Sequence, residues 1–90
     1  MSMSNYRIYF KPSVEKDLRG LSDSVVSQVM NRIGKLVDTP FPSNAVKLTG
    51  TQRTFRIRVK NYRIIYEVDK EEKKITVLYV RHRREAYRNV

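Results

Sequence analysis

The segment FRIRVKNYRIIY, Phe55 to Tyr66, holds Arg56, Arg58, Lys60 and Arg63 in an alternating pattern. A two-residue turn at Lys60-Asn61 folds it into a hairpin. Val59 then pairs with Tyr62, Arg58 with Arg63, Ile57 with Ile64, Arg56 with Ile65 and Phe55 with Tyr66. Side chains alternate between the faces of a strand. Phe55, Ile57, Val59, Tyr62, Ile64 and Tyr66 share one face; Arg56, Arg58, Lys60, Arg63, Ile65 and Glu67 share the other. Arg58 opposite Arg63 destabilises a sheet, because like charges face each other. Glu67 is too far along the strand to neutralise both. Such an arrangement suits an anion that supplies the missing charge, and the planar guanidinium fork matches a phosphate. The plainer alternative is a solvated cationic face, and a turn one residue longer or shorter would undo the pairing.

A second stretch, YVRHRREAYRNV from Tyr79 to Val90, carries Arg81, His82, Arg83, Arg84 and Arg88 with Tyr87 among them. Arginines that hold phosphates beside a ring that stacks on a base suit single-stranded RNA. The alternative is a basic tail. His82 is the only histidine. Its cationic neighbours oppose protonation, which leaves a neutral imidazole able to accept a proton near pH 7. There is no cysteine, and no carboxylate pair, metal-ligand cluster, Gly-rich phosphate loop or Ser-His-Asp order. Neither a metal nor a cofactor is expected.

The charge points the same way. Nineteen Lys and Arg stand against nine Asp and Glu, a net of +10. Residues 1–45 carry six basic and four acidic side chains, and residues 46–90 carry thirteen and five, so +8 lies in the second half. A basic surface facing a polyanion follows. Nucleic acid leads as the partner, with an acidic protein second. Lys47 and Arg53, ahead of the hairpin, join Lys60, Arg81, Arg84 and Arg88 as candidate RNA-binding residues. No apolar run has membrane-spanning length and the N-terminus lacks an apolar signal core, so a cytoplasmic protein without a membrane partner is expected.

The elements that must position these residues form one domain over residues 1–90. Tyr6–Phe10 alternates as a first strand. Pro12-Ser13 opens a short helix over 13–20, with Val14, Leu18 and Leu21 at helical spacing and Gly20 at its end. Ser22-Asp23 offers a second N-cap. Val25, Val29, Ile33 and Leu36 then form an apolar stripe that Val26, Met30 and Val37 widen. Pro40 and Pro42 stop that helix, and 40–53 reads as loop. Strands follow at 54–60, 62–68 and 74–81, the last two joined by the charged turn 69–74. The order β-α-α-β-β-β predicts an α+β fold, with a helical hairpin on one face of a mostly antiparallel four-stranded sheet.

With these residues in hand, the chain resembles the RelE side of the RelE/ParE toxin superfamily. The β-α-α-β-β-β order, VKLTG at Val46–Gly50, FRIRVKNYRIIYEV at Phe55–Val68 and VRHRREAYR at Val80–Arg88 carry the likeness. The resemblance implies a RelE-like fold and a metal-independent ribonuclease that cuts mRNA in the ribosomal A site of the 30S subunit. It also implies an acidic antitoxin that holds the toxin inactive. It implies catalytic roles for Arg56, Arg58, Arg63, a tail arginine (Arg83 or Arg81, with Arg83 preferred) and Tyr87. His82 is then the only side chain with a near-neutral reference pKa. The competing expectation is a ParE-like toxin that binds DNA gyrase without nuclease chemistry.

Overall fold

The computed structural model of the chain describes residues 6–82. The elements are β1 (Arg7–Phe10), α1 (Pro12–Arg19), α2 (Asp23–Lys35), β2 (Val46–Lys47), β3 (Thr54–Val59), β4 (Tyr62–Asp69) and β5 (Lys74–His82). They build a sheet in the order β1-β5-β4-β3-β2. β1 runs parallel to β5, and every other neighbour is antiparallel. The expected four strands are therefore five. Val46 and Lys47, read as loop, pair with Arg56 and Phe55 at the sheet edge. Two residues are too few to display a period of two, so no pattern marks them.

Both helices start where their residue types dictate. Pro12 stands in the first turn of α1, where its missing N–H costs nothing. The Ser22 hydroxyl accepts from the Val25 N–H at 3.3 Å and caps α2. Val14, Val29, Ile33 and Leu36 turn inward and pack on Ile57, Val59, Ile64, Tyr66, Val68, Ile75, Val77 and Val80. Met30 remains 40% exposed, so the inward stripe is narrower than the sequence pattern. Tyr66 is fully buried, and its hydroxyl donates to the Pro40 carbonyl at 2.9 Å, which pins the loop after α2. Burial pushes the Tyr66 hydroxyl pKa up to about 12, because a phenolate there would lack water.

The hairpin register is as read: Val59 faces Tyr62, Arg58 faces Arg63, and Ile57 faces Ile64. The turn closes with Lys60 at φ 55°. Of its two central residues only Lys60 has a positive φ, the pattern of a type II′ turn, whose first central position favours glycine.

β5 departs from regular alternation. Tyr66 pairs with Val77 while Ile65 pairs with Tyr79, so Leu78 is the extra residue of a bulge. Before it, Ile75 and Val77 face the core. After it, Val80 faces the core, and the parity of the strand has reversed.

Candidate functional site

The helices cover one face of the sheet. On the other, Arg58 pairs with Arg63 and Arg63 with Arg81. Three arginines thus lie side by side across β3, β4 and β5. Neighbouring strands are about 4.8 Å apart, so the row spans roughly 10 Å at the backbone. Arg63, in the middle, is only 5% exposed, while Arg58 is exposed and Arg81 half-buried. One register step away lie Arg56, Ile65 and Tyr79, also paired across the three strands. The Arg81 guanidinium carbon sits 4.9 Å from the centre of the Tyr79 ring. The site is therefore a strip of cations with one aromatic side chain beneath its outer member, suited to binding a phosphate diester.

The bulge at Leu78 decides which tail residue joins the row. Unbroken alternation from Ile75 and Val77 would carry Tyr79 and Arg81 to the helix side and present His82 on the open face. The extra residue exchanges them. Arg81 enters the row, and His82 pairs with Tyr62, a member of the helix-side face, with their rings edge-on at 5.3 Å. His82, the expected candidate base, thus stands on the helix side, apart from the arginine row.

α1 supplies the support for Arg81. β1 pairs with β5 only as far as Val77, leaving the last residues of β5 with an open edge. Ser13 and Asp17, one helical turn apart, fill it. The Ser13 hydroxyl donates to the Leu78 carbonyl at 2.7 Å, and the Val80 N–H donates to Asp17 Oδ2 at 3.0 Å. The same carboxylate oxygen lies 3.5 Å from Arg81 Nε. Neither Asp17 nor Tyr79 was singled out from the sequence. The available signal for Tyr79 was its place two residues before Arg81 on one strand; for Asp17 there was none.

Other candidates fall elsewhere. Lys60 is exposed in the β3–β4 turn, beyond the row. Lys47 pairs with Phe55, a helix-side position, and Arg53 precedes β3 at the far end of the sheet, 3.4 Å from Asp69. Both line a cleft of about 310 Å³ with Phe41 and Phe55, apart from the arginine row. Arg83, Arg84, Tyr87 and Arg88 lie outside the described residues. Among the described residues, no group of three or more His, Cys, Asp or Glu stands ready to hold a metal ion. No helix among them is long and apolar enough to cross a membrane.

The fold and sequence were compared with known proteins. The RelBE2 toxin–antitoxin complex from Mycobacterium tuberculosis contains a chain 26% identical to this one, with a TM-score of 0.78, covering 90% of this chain and 94% of that one. The archaeal RelE–RelB complex from Pyrococcus horikoshii OT3 matches at 28% identity and TM-score 0.79, covering 88% and 96%. The isolated E. coli RelE toxin shares the fold at 24% identity and TM-score 0.75, covering 86% and 83%. A search of curated protein sequences returns no match. A family model matches residues 8–87, nearly the whole chain, and describes the ParE toxin of the parDE type II toxin–antitoxin system. On that match and these structural likenesses, the chain belongs to the ParE toxin family, within the RelE/ParE superfamily of type II toxin–antitoxin toxins.

Proposed function

We propose that this toxin is a ribosome-dependent mRNA endonuclease that cleaves in the A site and stops translation. The observation that carries this reading is the register of Arg58, Arg63 and Arg81 across three strands on the face the helices leave open. A fold with no need to bind phosphate gains nothing from three adjacent cations, which cost stability.

RNA carries its own nucleophile. The 2′-oxygen attacks the adjacent phosphorus, a P–O bond forms, and the bond to the 5′-oxygen breaks. The proton lost by the 2′-hydroxyl is balanced by the proton gained by the leaving 5′-oxygen. The products are a 2′,3′-cyclic phosphate and a 5′-hydroxyl end, with no water consumed. The phosphorane between them carries extra negative charge. Arg63 and Arg81 stabilise it from a partly dry site, where such charge counts most. Arg58 and Arg56 hold flanking phosphates. Tyr87 stacks on a base and orients the chain for in-line attack, the role the family resemblance implies. Arg81 takes the tail-arginine role here in preference to Arg83, because the bulge turns it into the row. Guanidinium groups keep their protons at neutral pH, so the row acts by charge and position, not as a base.

Two of the structural neighbours are toxin–antitoxin complexes, and this toxin is read as taking an antitoxin too, an acidic one given its own charge. An acidic segment would neutralise part of the +10 charge. Cytoplasmic action on ribosomes follows from this function.

The second reading, gyrase inhibition without chemistry, rests on the ParE family match. Primer extension on mRNA from cells expressing the toxin separates the two. Cuts within A-site codons support the nuclease. Intact mRNA with broken DNA and stalled replication supports the gyrase poison and overturns the proposal.

A further inference from the structure

We propose that Asp17 is a positioning residue that holds Arg81 in the arginine row. This inference rests on the nuclease reading above. Arg81 lies four residues beyond Val77, where β1 stops supporting β5. An arginine on a strand end paired on one side only loses rotamer freedom when fixed in one place. Two contacts fix it here. The Tyr79 ring lies under the guanidinium at 4.9 Å, and Asp17 Oδ2 stands 3.5 Å from Nε.

The carboxylate is itself held. Its Oδ2 accepts the Val80 N–H at 3.0 Å, so the atom that faces Arg81 is tied to the backbone of the preceding residue. The pair is only partly solvated, with side-chain exposures of 29% for Arg81 and 17% for Asp17. Water and salt screen it less than an open surface pair. An acid beside a phosphate site is at first sight counterproductive. Contact through Nε resolves this: Asp17 meets the guanidinium at Nε and not at the outer fork of the two Nη nitrogens that a phosphate would engage. Asp17 thus orients Arg81 without occupying its phosphate-binding edge.

A purely structural Asp17 would serve only to accept the Val80 N–H. Asp17→Asn separates the roles, because the amide oxygen still accepts that hydrogen bond while the charge is gone. The readouts are the Arg81 side-chain Nε–H signal in a ¹⁵N NMR spectrum, assigned by its loss in Arg81→Lys, and the mRNA cleavage rate on programmed ribosomes. The expected result is a folded Asp17→Asn protein whose Arg81 Nε–H signal shifts and exchanges faster with water. Its cleavage turnover falls about tenfold, the cost of slight misplacement. In an Arg81→Ala background the same substitution costs nothing further, because the two act as one unit. An unchanged Arg81 signal in Asp17→Asn overturns the proposal, as does an equal loss of cleavage in the Arg81→Ala background. If the wild-type toxin cuts no mRNA, the nuclease reading fails on its own, and the Arg81 signal still decides whether Asp17 positions it.

Discussion

Replacing chloride with sulfate at equal ionic strength offers the arginine row a dianion. Arg58, Arg63 and Arg81 stand in register on adjacent strands. Two like charges about 5 Å apart repel by roughly 1 kcal/mol in water and roughly 3 kcal/mol at an effective dielectric of 20. Cross-strand measurements place the realised cost at up to about 1 kcal/mol per pair. A dianion seated between them turns repulsion into attraction. For a site that binds sulfate at about 1 mM, some 50 mM sulfate stabilises the fold by about 2.3 kcal/mol through mass action. In a domain of this size that raises Tm by about 10 °C. Matched ionic strength keeps Debye screening equal between the two salts. Sulfate also favours compact states generally, and Arg58→Ala isolates that contribution. Losing one charge-assisted contact weakens binding about tenfold, which cuts the mass-action gain to about 1 kcal/mol. Thermal unfolding followed by circular dichroism reads both proteins. An equal rise in wild type and Arg58→Ala, or no rise beyond chloride, refutes a convergent anion site.

Further outcomes follow from individual residues. The Tyr66 hydroxyl ionises near 10 in the unfolded chain and near 12 when folded, so stability is complete below pH 10 and declines as pH rises toward 12. Tyr66→Phe removes about 2 kcal/mol of that alkaline loss relative to wild type, measured by urea unfolding across pH 9 to 12, roughly the two-unit shift converted to energy. Ile33→Ala empties a fully buried position between α2 and the sheet, and costs about 3 kcal/mol in the same assay. Lys60→Gly relieves the left-handed backbone at φ 55° and raises stability by about 1 kcal/mol, visible as a higher urea midpoint at unchanged slope.

Much of this architecture is legible in the residues alone. The hairpin register followed from the alternation of Phe55–Lys60 and the turn at Lys60-Asn61, because a one-residue slip would have turned Ile57 and Ile64 outward. The helices followed from Pro12, Ser22 and the spacing of Val29, Ile33 and Leu36. The tail was not legible in the same way. In Ile75–Val80, apolar residues and threonine occupy both parities, so nothing in ITVLYV announces that Leu78 is the bulged residue. That one residue sends Arg81 to the arginines and His82 to Tyr62. β2 escaped notice because two edge residues have no period, and Asp17 because its partner lies 63 positions away. Local patterns encode faces and caps; long-range contacts and shifts of register depend on the packed whole.

The central claim is that the row acts on an RNA phosphate whose own 2′-hydroxyl attacks. Programmed ribosomes carrying an mRNA with a single 2′-deoxy nucleotide at the A-site cleavage position test it directly. Wild-type toxin should cut the all-ribose message to a 2′,3′-cyclic phosphate end and leave the deoxy message whole, and Arg63→Ala should slow the cut about 10²- to 10³-fold. Cleavage of the deoxy message, or undiminished cleavage by Arg63→Ala, contradicts the account.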